Sequence, residues 1–297
     1  MGKVSFKYWI KASRPKTLPV SMAPVVMSVA LASAYIKINW LPAAICLVFA
    51  VLSQILSNFV NDYADGLKGI DNNRLGPRRM VASGLISPEQ MRCGITVLCV
   101  LAFLIGCTLL CWGGLVLLPI GIVILLCAIA YSAGPFPLSQ HGFGDIAVVL
   151  FYGLAPVVLT FFIQTGFINW QITIAGLAIG LLSDNLLIVN NVRDADEDFK
   201  NNKKTTVVLF GKSPMTLFYY LNPLIAMVLG LLFLNNTINS LTWIIASVPF
   251  VVYSTLVSVK FSKAKGLEFN KLIGMSSMES IVFALTVLIV IILEYHV

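Results

Sequence analysis

Residues 41–71 read LPAAICLVFAVLSQILSNFVNDYADGLKGID, an apolar stretch that turns abruptly into a run of Asn and Asp. The apolar part is long enough to cross a bilayer as one helix, because a span takes about 20 mainly apolar residues. The polar part places Asn58, Asp62 and Asp65 at i, i+4 and i+7, which is one face if the helix continues. The whole chain has the same character. Of its 297 residues, 58% are apolar and only 11% are charged, against roughly 25% charged in an ordinary soluble domain. With a mean hydropathy of +0.91, the chain cannot cover a water-facing surface. This excludes a soluble globule, a disordered chain and a disulfide-stapled secreted domain.

Cutting at polar and turn-rich breaks gives nine apolar segments: 17–36, 41–61, 94–112, 115–132, 145–164, 170–192, 215–234, 241–260 and 277–294. The breaks include Asn39–Pro42, Gly113-Gly114, residues 134–144, Asn235-Asn236 and the Lys-rich run around Lys263. The segments lack strict alternation, so they predict helices and not the strands of a membrane barrel. The expected fold is all-α, a polytopic membrane protein with nine transmembrane helices in a single domain over 1–297. The six cysteines form no C-x-x-C pair and read as small core residues. The basic N-terminal flank precedes no convincing cleavage site, which predicts an uncleaved first helix.

The charges test this topology. With the N-terminus cytoplasmic, the arm carries Lys3, Lys7, Lys11, Arg14 and Lys16. The loop after segment 2 carries Lys68, Arg74, Arg78, Arg79 and Arg92, and the loop after segment 6 carries Arg193, Lys200, Lys203, Lys204 and Lys212. The loop after segment 8 adds Lys260, Lys263, Lys265 and Lys271. Only Lys37, of 20 basic residues, falls outside, as the positive-inside rule requires. The net charge of +7 is therefore a membrane signature, and no nucleic-acid partner is expected.

The acids gather on the same side, which that rule does not require. At the end of segment 6, NNVRDADED over residues 190–198 places Asn190, Asp194 and Asp198 on one helical face, matching the N-x-x-x-D spacing of the first cluster. This hints at an internal duplication. Carboxylates at a helix C-terminus are opposed by the macrodipole and repel one another. A divalent cation compensates them, and carboxylate and amide oxygens suit Mg²⁺, which binds a few carboxylates plus a ligand's phosphates. Lys68, Arg78, Arg79, Arg193, Lys203 and Lys204 are positioned in sequence to meet remaining phosphate oxygens. A solvated loop whose acids and bases merely pair, or a capping Asp, is the alternative for either cluster alone. Two spacing-matched clusters on one side argue against it.

The segment NDYADGLKGID followed by GPRR at 76–79 resembles the first aspartate-rich motif of the UbiA superfamily of intramembrane aromatic prenyltransferases. NNVRDADEDFKNNKKTT resembles the second. RPKTLP at 14–19, YSAGPFP at 131–137, GFGD at 142–145 and the six-residue step from Asp65 to Asp71 are similar to the 1,4-dihydroxy-2-naphthoate polyprenyltransferase branch. The resemblance runs from about residue 9 to 211, and the last three segments match only in hydropathy. It implies a bundle around a central cavity open to the bilayer and, at the aspartate motifs, to the cytosol of a cell inner membrane. On this chain it implies Asp62, Asp65, Asp194 and Asp198 as metal ligands and catalytic residues holding two Mg²⁺ on a polyprenyl diphosphate. Asn58, Asn61, Asn190 and Asn191 would complete that site, and Lys68, Arg79, Arg193 and Lys204 would hold the leaving diphosphate. Asp71 belongs to the same motif as a substrate-binding residue. The implied reaction prenylates 1,4-dihydroxy-2-naphthoate with loss of CO₂, in menaquinone biosynthesis. The same chemistry on another acceptor such as 4-hydroxybenzoate is the nearest alternative, and a cation-coupled secondary transporter is one from another class.

Asp184 lies two turns inside segment 6, where an ionisable residue is expensive and usually faces a cavity. A site-facing acid and a neutral, hydrogen-bonded structural Asp both fit. Tyr131 and Tyr63 are candidates for aromatic-substrate or cation contact, or equally interfacial tyrosines. Asp145 is expected to cap segment 5, His141 to be a loop residue, and His296 to lie at the terminus.

Overall fold

The computed structural model describes residues 4–67, 76–234 and 239–295. Among these residues it is all-helical, the sole β-type pairing being an isolated bridge between His141 and Lys204. The helices are α1 (Phe6–Ala12), α2 (Pro19–Ser33), α3 (Trp40–Leu67), α4 (Pro88–Thr108), α5 (Leu110–Gly113), α6 (Leu117–Ala130) and α7 (Gly144–Val149). They continue with α8 (Ala155–Thr165), α9 (Trp170–Lys200), α10 (Thr206–Phe210), α11 (Lys212–Leu234), α12 (Ser240–Ala246), α13 (Val248–Lys263) and α14 (Phe269–Tyr295).

Each of the nine expected segments coincides with one helix or one broken helix. Six of the described helical stretches are long and apolar enough to cross a membrane, or eight if two bent pairs each count as one. The pairs are residues 6–33, bent by 54°, and 240–263, bent by 45°. The segment expected at 115–132 forms only the 14-residue α6. The bends have local causes: Pro19 and Pro249 each fall in the first turn of the second helix, where a missing N–H costs nothing. The expected Asn235-Asn236 turn lies outside the described residues, as does His296.

Polar side chains fix the helix starts. Ser87 accepts the N–H of Gln90, whose side chain accepts that of Ser87, a reciprocal box that starts α4. Asn169, Thr205 and Asn239 each accept an N–H in the first turn of α9, α10 and α12. The α2–α3 turn is held to the end of α8 by two bonds between Asn39 and Gln164, of 3.1 and 2.8 Å.

Packing is centred on α9, of whose apolar window 67% is buried, against 11% for α4. Met27, Phe161, Leu182, Trp243, Phe250 and Phe283 form the main core where α2, α8, α9, α12, α13 and α14 meet. Between α7 and α8 the chain makes a π-turn at Leu150–Leu154, and there Gly153 rests on α9. A Cβ on Gly153 would lie 2.4 Å from the Gly176 carbonyl oxygen and 2.4 Å from the Gly180 Cα. Only glycine allows backbones this close.

Two helices run beyond their apolar stretch at the same end of the bundle. α3 continues to Leu67 and α9 to Lys200, so Asn58 to Asp65 and Asn190 to Asp198 are helical and the one-face spacing expected for each applies.

Candidate functional site

Between the extended ends of α3 and α9 lies a polar chamber of about 990 Å³, including its open mouth. α3 contributes Asn58 and Asn61, α9 contributes Asn190, Asn191 and Asp194, and Arg14, Arg79 and Lys203 enter from the connections. A second cavity of about 1200 Å³ adjoins it and is almost wholly apolar. Phe49, Phe103, Leu118, Ile124, Phe151 and Leu159 are among its walls, contributed by α3, α4, α6, the π-turn and α8. Gln54, Ser57, Tyr131 and Tyr152 line both cavities. The arrangement therefore suits a molecule with a charged head and a long hydrocarbon tail, with its head–tail junction beside the two tyrosines.

The aspartates are already engaged. The Asp62 carboxylate accepts the backbone N–H groups of Met80 and Val81, at 2.9 Å each, and is 2% exposed. It closes the turn that follows the connection after α3. Asp65 is ion-paired with Arg79, whose Nη1 also donates to the Asn61 carbonyl and side-chain oxygens at 2.7 and 2.6 Å. Asn61 in turn donates to the Ser132 hydroxyl at 2.9 Å. In α9, Arg193 grips its neighbour Asp194 through two 2.7 Å bonds and reaches Asn270 of α14 at 2.9 Å. Asp198 pairs with Lys203 at 3.3 Å.

Of the four motif aspartates only Asp194 lines the chamber; Asp65 and Asp198 are paired with Arg79 and Lys203, which do line it, and Asp62 is turned to the Met80 and Val81 amides. Tyr131 lines the chamber, whereas Tyr63 packs beside Phe59, Met80 and Ile86. Arg193 is turned toward Asp194 and α14, and Lys204 is exposed while Lys203 faces the chamber. Lys68 and Asp71 lie outside the described residues. Asp145 does not cap α7, whose start has no side-chain cap; both its oxygens instead accept from the Thr206 hydroxyl, at 3.0 and 2.8 Å. A residue in the first helical turn points along the helix side, and here the polar partner available there is Thr206. His141 is a loop residue, bonded to the Pro137 carbonyl and stacked on Phe136.

Sequence reading missed two groups. Arg14 adopts the left-handed region at φ 49° and donates to Asn61 Oδ1 at 2.9 Å. Such a backbone costs about 1–3 kcal/mol and persists where surroundings over-determine it. Its signal in the sequence was the Arg-Pro step, which disfavours ordinary helix at the Arg. Glu279, buried in α14, accepts from Asn185 of α9 at 3.3 Å. It makes α14 a second helix with a deep carboxyl, where only segment 6 was expected to hold one.

Among the described residues no three Asp, Glu, His or Cys side chains converge as a ready cluster. The available donors are carboxylate and amide oxygens, the hard ligands Mg²⁺ takes, and this ion uses few protein ligands when phosphates supply the rest. The residues fit the ion in company with a phosphate ligand.

Residues 21–269 match the UbiA prenyltransferase family. The chain belongs to this family. The match continues past residue 211, through helices whose sequence alone gave only hydropathy. The 1,4-dihydroxy-2-naphthoate octaprenyltransferase of Haemophilus influenzae is 35% identical over 219 residues, 69% of this chain and 70% of that protein. The protein of that name from Mycobacterium tuberculosis is 33% identical over 215 residues, 72% and 74% of the two chains. In fold, the chain is similar to a UbiA homolog from Archaeoglobus fulgidus bound to GPP and Mg²⁺, with a TM-score of 0.69 at 17% identity, covering 96% and 99% of the two chains. Apolar helices and family membership together make this UbiA-family chain a multi-pass membrane protein.

Proposed function

We propose that this protein transfers a polyprenyl group from polyprenyl diphosphate to 1,4-dihydroxy-2-naphthoate, releasing CO₂ and diphosphate and giving demethylmenaquinone for menaquinone biosynthesis. The observation that carries this reading is the junction of a charged chamber with an apolar cavity at Gln54, Ser57, Tyr131 and Tyr152. The choice of acceptor is supported by the names of the relatives at about a third identity.

The chain's residues divide the work. Asn58, Asn61, Asn190 and Asn191 orient the diphosphate head, Arg79, Arg193, Lys203 and Lys204, with Lys68, supply compensating positive charge, and Asp71 completes the substrate-binding motif. Asp62, Asp65, Asp194 and Asp198 hold Mg²⁺. When bound, this ion stabilises the negative charge that develops on the departing diphosphate. Arg79 and Lys203, now paired with Asp65 and Asp198, line the chamber, so that these cations turn to the diphosphate and their carboxylates to the metal on binding. Phe49, Leu118, Phe151 and Leu159 take the isoprenoid tail and keep water from the allylic cation. Tyr131 and Tyr152 present ring faces where that cation forms.

The same reading gives nine membrane crossings in one domain, α6 being the short one, with the N-terminus and the chamber mouth on the cytoplasmic side of the cell membrane. It rests on the placement of 19 of 20 basic residues. Purified enzyme in lipid should convert labelled octaprenyl diphosphate and dihydroxynaphthoate to a lipophilic product with release of CO₂. Chelation should stop the reaction and Mg²⁺ restore it. Turnover of 4-hydroxybenzoate alone would refute the acceptor assignment.

A further inference from the structure

Asp184 and Asp145 belong to neither aspartate motif, and the division of work above leaves both unused. Asp184 lies on α9, three residues before Leu187 and seven before Asn191, both of which line the chamber. The residue is 6% exposed, and its Oδ1 is buried without a hydrogen-bond partner. A buried acceptor left unpaired costs about 1–3 kcal/mol, so an incoming O–H group is favoured there. Asp145 lines the chamber from α7 and acts on Asp184 by charge repulsion. Its own oxygens are occupied by Thr206. Tyr131, at the head–tail junction, lies in Coulombic range of both carboxylates, Tyr152 and Arg14.

The other elements packed on this part of α9 leave Asp184 alone. α2, α8 and α10 carry no ionisable side chain, and Glu279 of α14 and the Tyr219 carbonyl of α11 take the neighbouring Asn185. One carboxylate oxygen of Asp184 is thus left without a partner just behind the chamber wall formed by Ser183 and Leu187, close to Tyr131 and Asp145.

We propose that Asp184, backed by Asp145, binds a ring hydroxyl of the aromatic acceptor and borrows its proton during prenyl transfer. This rests on the acceptor reading given above. The ring carbon bearing the carboxylate bonds to C1 of the prenyl group, while the C1–O bond breaks and its electron pair leaves with diphosphate. The hydroxyl proton passes to Asp184 as the ring takes a keto form. The ring–carboxyl bond then breaks, CO₂ departs, and the electron pair left behind restores the aromatic ring. Asp184 returns the proton to the oxygen, so no net proton and no co-reactant are needed.

Asp184→Asn should lower kcat about 100-fold or more near neutral pH, the range for a lost general base. Its Kd for an unreactive prenyl thiodiphosphate should stay within about threefold of wild type. The deficit should shrink about tenfold per pH unit as the acceptor ionises unaided. Asp145→Asn removes the neighbouring negative charge and should move the acid limb of the kcat profile to lower pH. An Asp184→Asn enzyme with near-normal kcat, or with the same deficit at low and high pH, overturns the proposal. So does an unmoved acid limb in Asp145→Asn, which serves even if the Asp184 variant cannot be purified. Failure of the wild type to prenylate dihydroxynaphthoate refutes the acceptor reading instead, and so is distinguished from failure of this one.

Discussion

Replacing Arg193 by Met separates two jobs that sequence assigns to one side chain. The Arg193 side chain is fully buried and that of Asp194 is 8% exposed. Two charge-assisted bonds of 2.7 Å join them, and a third of 2.9 Å ties Arg193 to Asn270. Removing one partner of such a buried pair strands the other charge and costs about 3–5 kcal/mol, far more than the 0–1 kcal/mol of an exposed pair. Unfolding in mixed micelles should therefore show Arg193→Met destabilised by about 3–5 kcal/mol. The double variant Arg193→Met with Asp194→Leu should recover most of that, because matched apolar replacement of a buried pair is often neutral. It should nevertheless be inactive, since Asp194 is the motif carboxylate that faces the chamber. A double-mutant cycle gives the coupling directly, expected above about 3 kcal/mol because each single variant strands a charge that the double variant does not. A coupling below about 0.5 kcal/mol would mean that the pair is effectively solvated, and the account of α9 held to α14 through Arg193 would fail.

Asp62→Ala strands two backbone N–H groups, those of Met80 and Val81, at about 1–3 kcal/mol each. Both thermal stability and turnover should fall, where a purely metal-binding Asp would lower turnover alone. Gly153→Ala drives a Cβ into the backbone of α9 and should cost about 1–3 kcal/mol, read as a lower midpoint in a detergent thermal-shift assay. Gly121 lines the apolar cavity, and a Cβ there meets nothing within 4 Å. Gly121→Phe should therefore fold normally and lower kcat/KM for octaprenyl diphosphate about tenfold or more, while dimethylallyl diphosphate is affected less than about twofold.

The spans were legible because a bilayer demands about 20 apolar residues in a row whatever the tertiary packing. The gathering of Lys and Arg into alternate connections was legible for a similar reason, since it follows from membrane insertion and not from contacts. The helical continuation of the motifs followed from the spacing of Asn58, Asp62 and Asp65. What could not be read depends on which neighbour a side chain finds. Phe49 and Leu118 line a cavity, while Val100 and Leu126 face outward, and hydropathy gives the same value to both uses. Asp145 looked like a cap until Thr206, 61 residues away, proved to be its partner. Glu279 hid at the inner edge of an apolar segment because its partner Asn185 lies 94 residues earlier. The motif cations looked poised for phosphate, yet Arg79, Arg193 and Lys203 each rest on an aspartate.

The meeting of the two cavities at Tyr131 and Tyr152 also bears on how the enzyme empties. On the proposed reaction the substrate would be moored at its charged end before transfer; afterwards diphosphate would return to water and leave the remaining molecule with no ionic mooring. Each of its methylenes is about as well solvated by acyl chains as by the apolar wall, so little free energy opposes its escape sideways. Turnover should then depend on the surrounding lipid, which acts as the solvent that extracts the product.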